Sequence, residues 1–198
     1  MTNLRNFTNI VLASSSPYRK ELLSRVVESF SCESPNIDET PFPDEEPVEH
    51  VARLAEQKAL AVSLNHPDSI IIGSDQVCVL DGKILGKPYT EEKAIQQLMG
   101  CSGKTVTFYT SLCVMESEKE DKDLSVVLTE VKFRDLTHEE IKRYVQREKP
   151  LDCAGSFKCE GLGIALFESL SSKDPTALIG LPLITLSESL RKLGIRVI

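Results

Sequence analysis

Hydrophobic and polar positions switch along the chain between the period of a strand and that of a helix. The apolar run Ile10–Ala13 predicts a buried strand. A helix is expected to follow over about Pro17–Val27, with proline at its first position and Ser16 as N-cap. Pro47 begins a second predicted helix, since apolar residues recur after it at three- and four-residue spacing: Val48, Val51, Ala55, Ala59 and Val62.

The middle of the chain has strand-like patterns interrupted by polar residues. A strand is predicted over Ser69–Gly73, then an interruption, and then Val77–Leu80, which turns at an Asp-Gly dipeptide into Lys83–Leu85 as a hairpin. A helix is expected from Thr90 to about Met99.

The second half continues the alternation. Thr105–Met115 and Leu124–Phe133 are predicted long strands, and Thr137–Gln146 is a helix with a capping box. A glycine-rich segment, Ala154–Phe167, precedes a closing helix over about Leu183–Leu193. Strands interleaved with helices predict an α/β fold, with a mixed twisted sheet and flanking helices.

Composition limits the class of protein without changing this fold. The 198 residues suffice for one sizeable core, or two small lobes sharing a cleft, and we expect a single domain over residues 1–198. The formal net charge is −7, with 23 basic and 30 acidic residues, which opposes nucleic-acid binding. No run approaches the roughly 20 apolar residues of a membrane span, and no signal-peptide core is present.

The six cysteines lack any C-x-x-C pair. Reduced, mostly buried thiols in a cytoplasmic protein therefore fit better than a disulfide framework or a zinc site.

The turn between the first strand and helix is a candidate anion site. A helix N-terminus favours negative charge, the hydroxyls of Ser14 and Ser16 add donors, and Arg19 can clamp a phosphate with two hydrogen bonds. Taken alone, the motif equally describes a capped surface helix.

Acidic candidates follow in two places. Asp75 is expected at the end of a β-branched strand, where ligand clefts of open α/β sheets lie. It is a candidate metal ligand or water-orienting base, or else a turn-forming residue beside glycine. Asp38 and Glu39 lie in an acidic, proline-rich run that offers oxygen ligands for a hard cation, although such runs are usually only solvated.

Two lysines and a glycine-rich segment complete the candidates. Lys58 lies near the apolar stripe of its helix, and Lys87 lies in a Gly-Lys-Pro turn; either can meet phosphate, or extend along the surface. Glu160 lies among three closely spaced glycines, which allow close approach to a ligand or form bulges in a hairpin.

Taken in order, these motifs resemble the Maf family of nucleotide pyrophosphatases from end to end. The resemblance runs through Leu-Ala-Ser-Ser-Ser-Pro-Tyr-Arg, Ile-Asp-Glu, Glu-x-Lys-Ala, Gly-Ser-Asp-Gln, Gly-Lys-Pro, Asp-x-Ala-Gly and Ile-Gly-Leu-Pro. It implies two lobes around a cleft, as in inosine triphosphate pyrophosphatases, a homodimer, and hydrolysis of nucleoside triphosphates to pyrophosphate with Mg²⁺ or Mn²⁺.

The resemblance also assigns roles. Asp75 falls on the catalytic proton acceptor and Glu39 on its partner carboxylate, both of them metal ligands. Lys58 and Lys87 match catalytic residues that hold the triphosphate, together with the substrate-binding residues Ser14, Ser16 and Arg19.

Three positions indicate the substrate. The branch acting on dTTP and UTP has Arg, Thr and Gln where this chain has Tyr18, Gln76 and Glu160, which resemble the branch acting on 7-methyl-GTP. An aromatic face can hold the cationic ring, and a carboxylate can accept from its N1–H and N2 amine. That branch usually has Trp in place of Tyr18, and Tyr is a weaker cation–π partner.

The resemblance leaves two other hypotheses open. One keeps the fold and changes the substrate to dTTP or UTP. The other is a nucleotide-sensing regulator of septum formation, against which the presence of both Asp75 and Glu39 argues.

Overall fold

The computed structural model describes residues 9–119 and 121–198, so the first eight residues of the predicted domain lie outside the described part. The described strands are β1 (Asn9–Leu12), β2 (Ser31–Cys32), β3 (Ser69–Leu80), β4 (Lys83–Leu85), β5 (Thr105–Glu116), β6 (Lys122–Phe133) and β7 (Phe167–Ser172). The described helices are α1 (Pro17–Ser24), α2 (Pro47–Ser63), α3 (Glu91–Cys101), α4 (His138–Glu148) and α5 (Leu183–Lys192).

These strands form one mixed sheet in the order β2-β1-β3-β5-β6-β7, with β4 paired to β3. β1 lies parallel to β2 and β3, whereas every other pairing is antiparallel. The α/β class and the mixed sheet predicted from the sequence are confirmed.

β3 is the strand that organises the molecule, and here the sequence prediction was wrong. We expected an interruption after Gly73, but β3 runs unbroken, because β5 pairs with it from Ile70 to Val79. Asp75 therefore lies in mid-strand, not at a strand end. β1 pairs with β3 only as far as Ile72, and β4 pairs only from Cys78 onward. Between those points the sheet has a gap beside β3.

Side chains pack against the sheet in two regions on either side of this gap. We call the first region the proximal core. On one face of β1, β3 and β5 it is covered by α1 and α5, with Ile72, Leu112 and Leu186 among the buried residues. On the other face it is covered by α2, with Ile71 and Ala59 in contact. The distal core joins the far ends of β3, β5 and β6 to α3 and α4: Cys78, Val106, Phe133, Leu98 and Ile141 are among its buried residues. The two packing regions agree with the expected two lobes.

Gly73 explains how α2 approaches the sheet so closely. A Cβ atom added at Gly73 would lie 2.1 Å from the backbone oxygen of Ala55, so no larger residue fits without moving the helix. This close approach brings Lys58 of α2 over β3.

The glycine-rich segment forms two 3₁₀ turns, Ala154–Ser156 and Leu162–Leu166, before β7. Phe157 anchors it: its ring packs edge-to-face against Phe108, Phe133 and Phe167, with centroids 5.4, 5.4 and 4.9 Å away. The segment is thus fixed to the distal core rather than forming an edge hairpin.

Element ends differ from the predictions by a few residues, as at α1, which ends at Ser24 rather than Val27. The capping box of α4 is confirmed, since Thr137 and Glu140 exchange both hydrogen bonds. β2 and β7 were not predicted. The cysteines are all free, and Cys78, Cys101 and Cys113 are buried.

Candidate active site

A cavity of about 450 Å³ opens at the gap in the sheet. It is bordered by the β1–α1 turn, the segment before α2, one face of α2, the middle of β3 and the glycine-rich segment. The structure brings all ten residues predicted for the site to this cavity: Ser14, Ser16, Tyr18, Arg19, Glu39, Lys58, Asp75, Gln76, Lys87 and Glu160.

The centre of the cavity is an ion triad in which Lys58 bridges two carboxylates. Its Nζ donates to Asp75 Oδ1 at 2.7 Å and to Glu39 Oε1 at 2.8 Å. The side chains of Lys58 and Asp75 are 7% and 10% exposed, whereas that of Glu39 is 58% exposed. Burying an ammonium group is costly without a partner, so Lys58 depends on these carboxylates.

Asp75 is held rigidly from its backbone. Its N–H donates to Ser111 Oγ at 3.1 Å, and the Ser111 hydroxyl donates in turn to Val51 O of α2 at 2.6 Å. Asp75 Oδ2 accepts no hydrogen bond from the described residues. Asp75 lines the cavity, and its carboxylate therefore has one oxygen fixed by Lys58 and a second that no described residue holds.

The β1–α1 turn places Arg19 opposite the triad. Ser14 Oγ accepts from Ser16 N at 3.1 Å, and Ser16 Oγ accepts from Arg19 N at 3.4 Å, which confirms Ser16 as the N-cap of α1. The Arg19 side chain donates through Nε to Gly180 O at 2.8 Å. This contact fixes the guanidinium group, and its terminal nitrogens donate to none of the described residues.

Charge couples these groups across the cavity. Burial lowers the pKa of Arg19, although the carboxylates of Asp75 and Glu39 partly offset that effect. Burial would raise the pKa of Glu39, but the hydrogen bond from Lys58 and the charges of Lys58, Lys87 and Arg19 lower it overall. Three cations thus face one carboxylate, and the exposed Lys87 contributes by its charge rather than by contact.

Tyr18 lies at the acidic end of the cavity. Its hydroxyl donates to Asp152 Oδ2 at 3.3 Å, and Cys153 Sγ lies 3.9 Å from the Tyr18 hydroxyl oxygen. Burial raises the pKa of Tyr18, and Cys153, Asp152 and Glu160 raise it further by charge. The phenol, Asp152 and Glu160 therefore share one negative region, and Lys158 contacts Asp152 at 3.9 Å rather than pairing with Glu160.

Gln76 acts on the backbone that borders the cavity. Its Nε2 donates to Ala177 O at 2.8 Å and to Leu178 O at 3.2 Å, while Ser74 Oγ donates to Gly180 O at 3.1 Å. β3 thereby fixes the 3₁₀ turn Ala177–Ile179, and the predicted specificity role of Gln76 would operate through that turn.

Two further residues of the cavity were not singled out from the sequence. His50 of α2 lines it, with Nδ1 2.9 Å from Glu45 Oε2. Asp152 was quoted within a motif but given no role. The pattern of hydrophobic and polar positions indicated neither residue, because the placement of both at the cavity depends on contacts between segments distant in sequence.

The donor set suits a divalent cation only in the presence of phosphate. Glu39 and Asp75 share one ammonium nitrogen, so their oxygens converge, and carboxylate oxygens are the ligands Mg²⁺ prefers. Among the described residues no group of three or more His, Cys, Asp or Glu side chains is placed to hold a metal. The rest of a coordination sphere would come from substrate oxygens and water, as is usual for Mg²⁺.

Fold and cavity together define an α/β protein with a mixed-charge cleft, of the kind that binds phosphorylated ligands. The chain belongs to the Maf family: the family model described as "Maf-like protein" matches residues 9–193. No helix within the described residues is long and apolar enough to cross a membrane.

Three relatives match nearly the whole chain. A 7-methyl-GTP pyrophosphatase of Aliivibrio fischeri is 52% identical over 191 residues, 96% of this chain and 99% of that protein. Proteins of the same name from Vibrio parahaemolyticus and Nitrosococcus oceani are 51% and 54% identical, over 98% and 93% of this chain and 100% and 93% of theirs. Among solved structures, the Staphylococcus aureus Ham1 protein matches with a TM-score of 0.43 and 13% identity, over 77% of this chain and 88% of that one.

Proposed function

We propose that the protein is a nucleoside triphosphate pyrophosphatase that hydrolyses 7-methyl-GTP to 7-methyl-GMP and pyrophosphate. The observation that carries the proposal is the Lys58–Asp75–Glu39 triad, with Lys58 and Asp75 buried, in a cavity that Arg19 also lines. The relatives named 7-methyl-GTP pyrophosphatase support the substrate, since they match over nearly their full lengths. Removal of the methylated nucleotide would keep it out of RNA.

The chemistry assigned to the triad is attack of water on the α-phosphorus. Asp75 Oδ2 accepts a proton from the water, the new P–O bond forms, and the bond from the α-phosphorus to the bridging oxygen breaks. Pyrophosphate leaves with the electron pair. Lys58, Lys87 and Arg19 neutralise the polyphosphate, which together with an oriented water is most of what phosphoryl chemistry requires.

A divalent cation belongs to this proposal. Glu39 and Asp75 would hold Mg²⁺ or Mn²⁺ together with phosphate oxygens, and a bound ion would supply further neutralisation of the polyphosphate charge. Ser14 and Ser16 border the same end of the cavity as Arg19 and would add hydroxyl contacts to phosphate.

The nucleobase of the substrate is assigned to the acidic end of the cavity. Methylation at N7 makes guanine cationic, so the ring of Tyr18 can stack on it and Glu160 can accept from its Watson–Crick edge. The negative region around Tyr18, to which Asp152 contributes, favours a cation over the neutral ring of GTP. A homodimer and a cytoplasmic location remain predictions from the sequence.

The direct test is a pyrophosphate-release screen over 7-methyl-GTP, GTP, dTTP and UTP, with Mg²⁺ or Mn²⁺ and with a chelator. We expect the highest kcat/KM for 7-methyl-GTP and loss of turnover with the chelator. Equal or faster hydrolysis of dTTP would overturn the substrate, and full activity in the chelator would remove the metal from the proposal.

Asp75→Asn tests the assigned base within that screen. We expect kcat to fall by about 10²- to 10⁴-fold, because the amide keeps the shape of the carboxylate but accepts no proton. Thermal melting should show an intact fold. Asp135→Asn, at an exposed position outside the cavity, is the matched control and should retain full activity. An active Asp75→Asn variant would exclude this role for Asp75.

A further inference from the structure

Glu45 is a buried carboxylate in an otherwise solvated segment. Its side chain is 7% exposed, and it accepts from the Phe42 N–H at 3.0 Å, from His50 Nδ1 at 2.9 Å, and from Arg53 Nε and Nη2 at 2.5 and 2.7 Å. The hydrogen bonds from Arg53 lower the pKa of Glu45 far below its ordinary value, against the opposing effect of burial. The charged form is therefore the one built into the fold.

Arg53 fastens the same segment a second time. Its Nη2 donates to Thr40 O at 3.2 Å, and its guanidinium carbon lies 4.0 Å from the centre of the Phe42 ring. Residues 38–46, which we call the acidic loop, are thus tied to α2 by contacts at Thr40, Phe42 and Glu45. All of these contacts converge on one guanidinium group, which is 17% exposed.

The acidic loop carries Glu39, which has little support of its own. Glu39 is more than half exposed, and the ion pair with Lys58 is the one hydrogen-bonded or ion-paired contact of its side chain within the described residues. Thr40, the next residue, is the one whose carbonyl Arg53 holds. The position of the Glu39 carboxylate therefore depends on how firmly the loop is attached to α2.

We propose that Arg53 and Glu45 form a positioning pair that holds Glu39 at Lys58 and Asp75, in addition to stabilising α2. Arg53 does not line the cavity, so it acts through the loop rather than by touching substrate. The inference rests on the proposed function for its kinetic readout, although not for its structural one. The residue that the pair positions belongs to this chain, so the proposal requires no bound ligand.

A double-mutant cycle separates positioning from general stability. Arg53→Met keeps most of the bulk of the side chain but removes the guanidinium group. We expect kcat to fall by about 10- to 100-fold, because the Glu39 carboxylate would be misplaced. In a Glu39→Gln variant, Arg53→Met should alter kcat by less than about twofold, because the carboxylate that Arg53 positions is already absent. Arg53→Lys should recover part of the rate, since lysine keeps the charge without the two-pronged geometry.

Glu56→Gln is the control for loss of an ion pair on the same helix. Glu56 pairs with Lys122 outside the cavity, so this variant should keep the wild-type rate. If Arg53→Met lowers kcat equally in both backgrounds, Arg53 does not work through Glu39 and the proposal is overturned.

Hydrogen exchange measures the attachment of the acidic loop to α2 without an activity assay. The peptide covering residues 38–46 should exchange at least about tenfold faster in Arg53→Met than in wild type or Glu56→Gln, because the Phe42 amide loses its ordered acceptor. Unchanged exchange would overturn the positioning pair. Absence of pyrophosphate release by the wild-type protein would instead reject the proposed function and leave this exchange result to decide.

Discussion

At the scale of single residues, the cavity brings enclosed groups of opposite charge together. Lys58 is almost fully enclosed and pairs with both Asp75 and Glu39, so removing one carboxylate leaves its ammonium group with a single anionic partner. At the other end, Tyr18 and Glu160 share a negative region. One cavity thus presents cations for phosphate and anions for a cationic base.

Glu160→Gln tests the acidic end alone. The amide keeps the size of the side chain but removes its charge, so kcat/KM for 7-methyl-GTP should fall at least about tenfold relative to GTP, in line with the strength of hydrogen bonds to charged groups. Glu139→Gln, at an exposed position on α4, is the matched control. An equal loss on both nucleotides would show that Glu160 supports structure rather than selects the base.

At this scale the motifs that resemble the Maf family indicated the residues to which hydrolysis is assigned, among them Asp75, Lys58 and Arg19. Local pattern alone left each of these with a structural alternative, and Asp152 received no role. The sequence did not indicate Glu45, Arg53 or His50. An acidic, proline-rich run normally predicts solvated side chains, and only the contact with α2 shows that Glu45 is enclosed.

Among the elements, β3 shows most clearly what local pattern cannot predict. Gly-Ser-Asp-Gln interrupts its apolar run, yet pairing with β5 carries the strand across these residues. The edge strands β2 and β7 gave no signal, since their side chains are largely exposed and follow no alternation. The capped helices α3 and α4 were predictable because their caps and turns are local.

Gly73→Ala tests the contact between β3 and α2. The added methyl group would meet the Ala55 carbonyl at 2.1 Å, so α2 must shift, and we expect a loss of about 1–3 kcal/mol in the free energy of unfolding, typical of overpacking. Denaturant titration measures it. Gly86→Ala is the control, because an added Cβ there meets nothing within 4 Å. Equal stability of both variants would contradict the tight contact.

For the molecule as a whole, the central strands hold the two packing regions together. β5 contributes Val106 and Phe108 to the distal core and Leu112, Cys113 and Val114 to the proximal core. A strand shared in this way cannot leave one region without disturbing the other. The cavity between them is therefore framed by continuous strands, and the single domain expected from the sequence remains a prediction.

Two buried thiols allow the single-domain prediction to be tested by chemical labelling. Cys101 belongs to the distal core and Cys113 to the proximal core, and burial raises the pKa of each to about 12, so we expect slow labelling of both thiols in the folded protein. Alkylation in mild denaturant, followed by mass spectrometry of each peptide, reports the opening of each region separately. We expect equal opening free energies at both thiols, whereas earlier labelling of one would reveal two units that unfold independently. The chain thus carries a native pair of reporters for its own cooperativity.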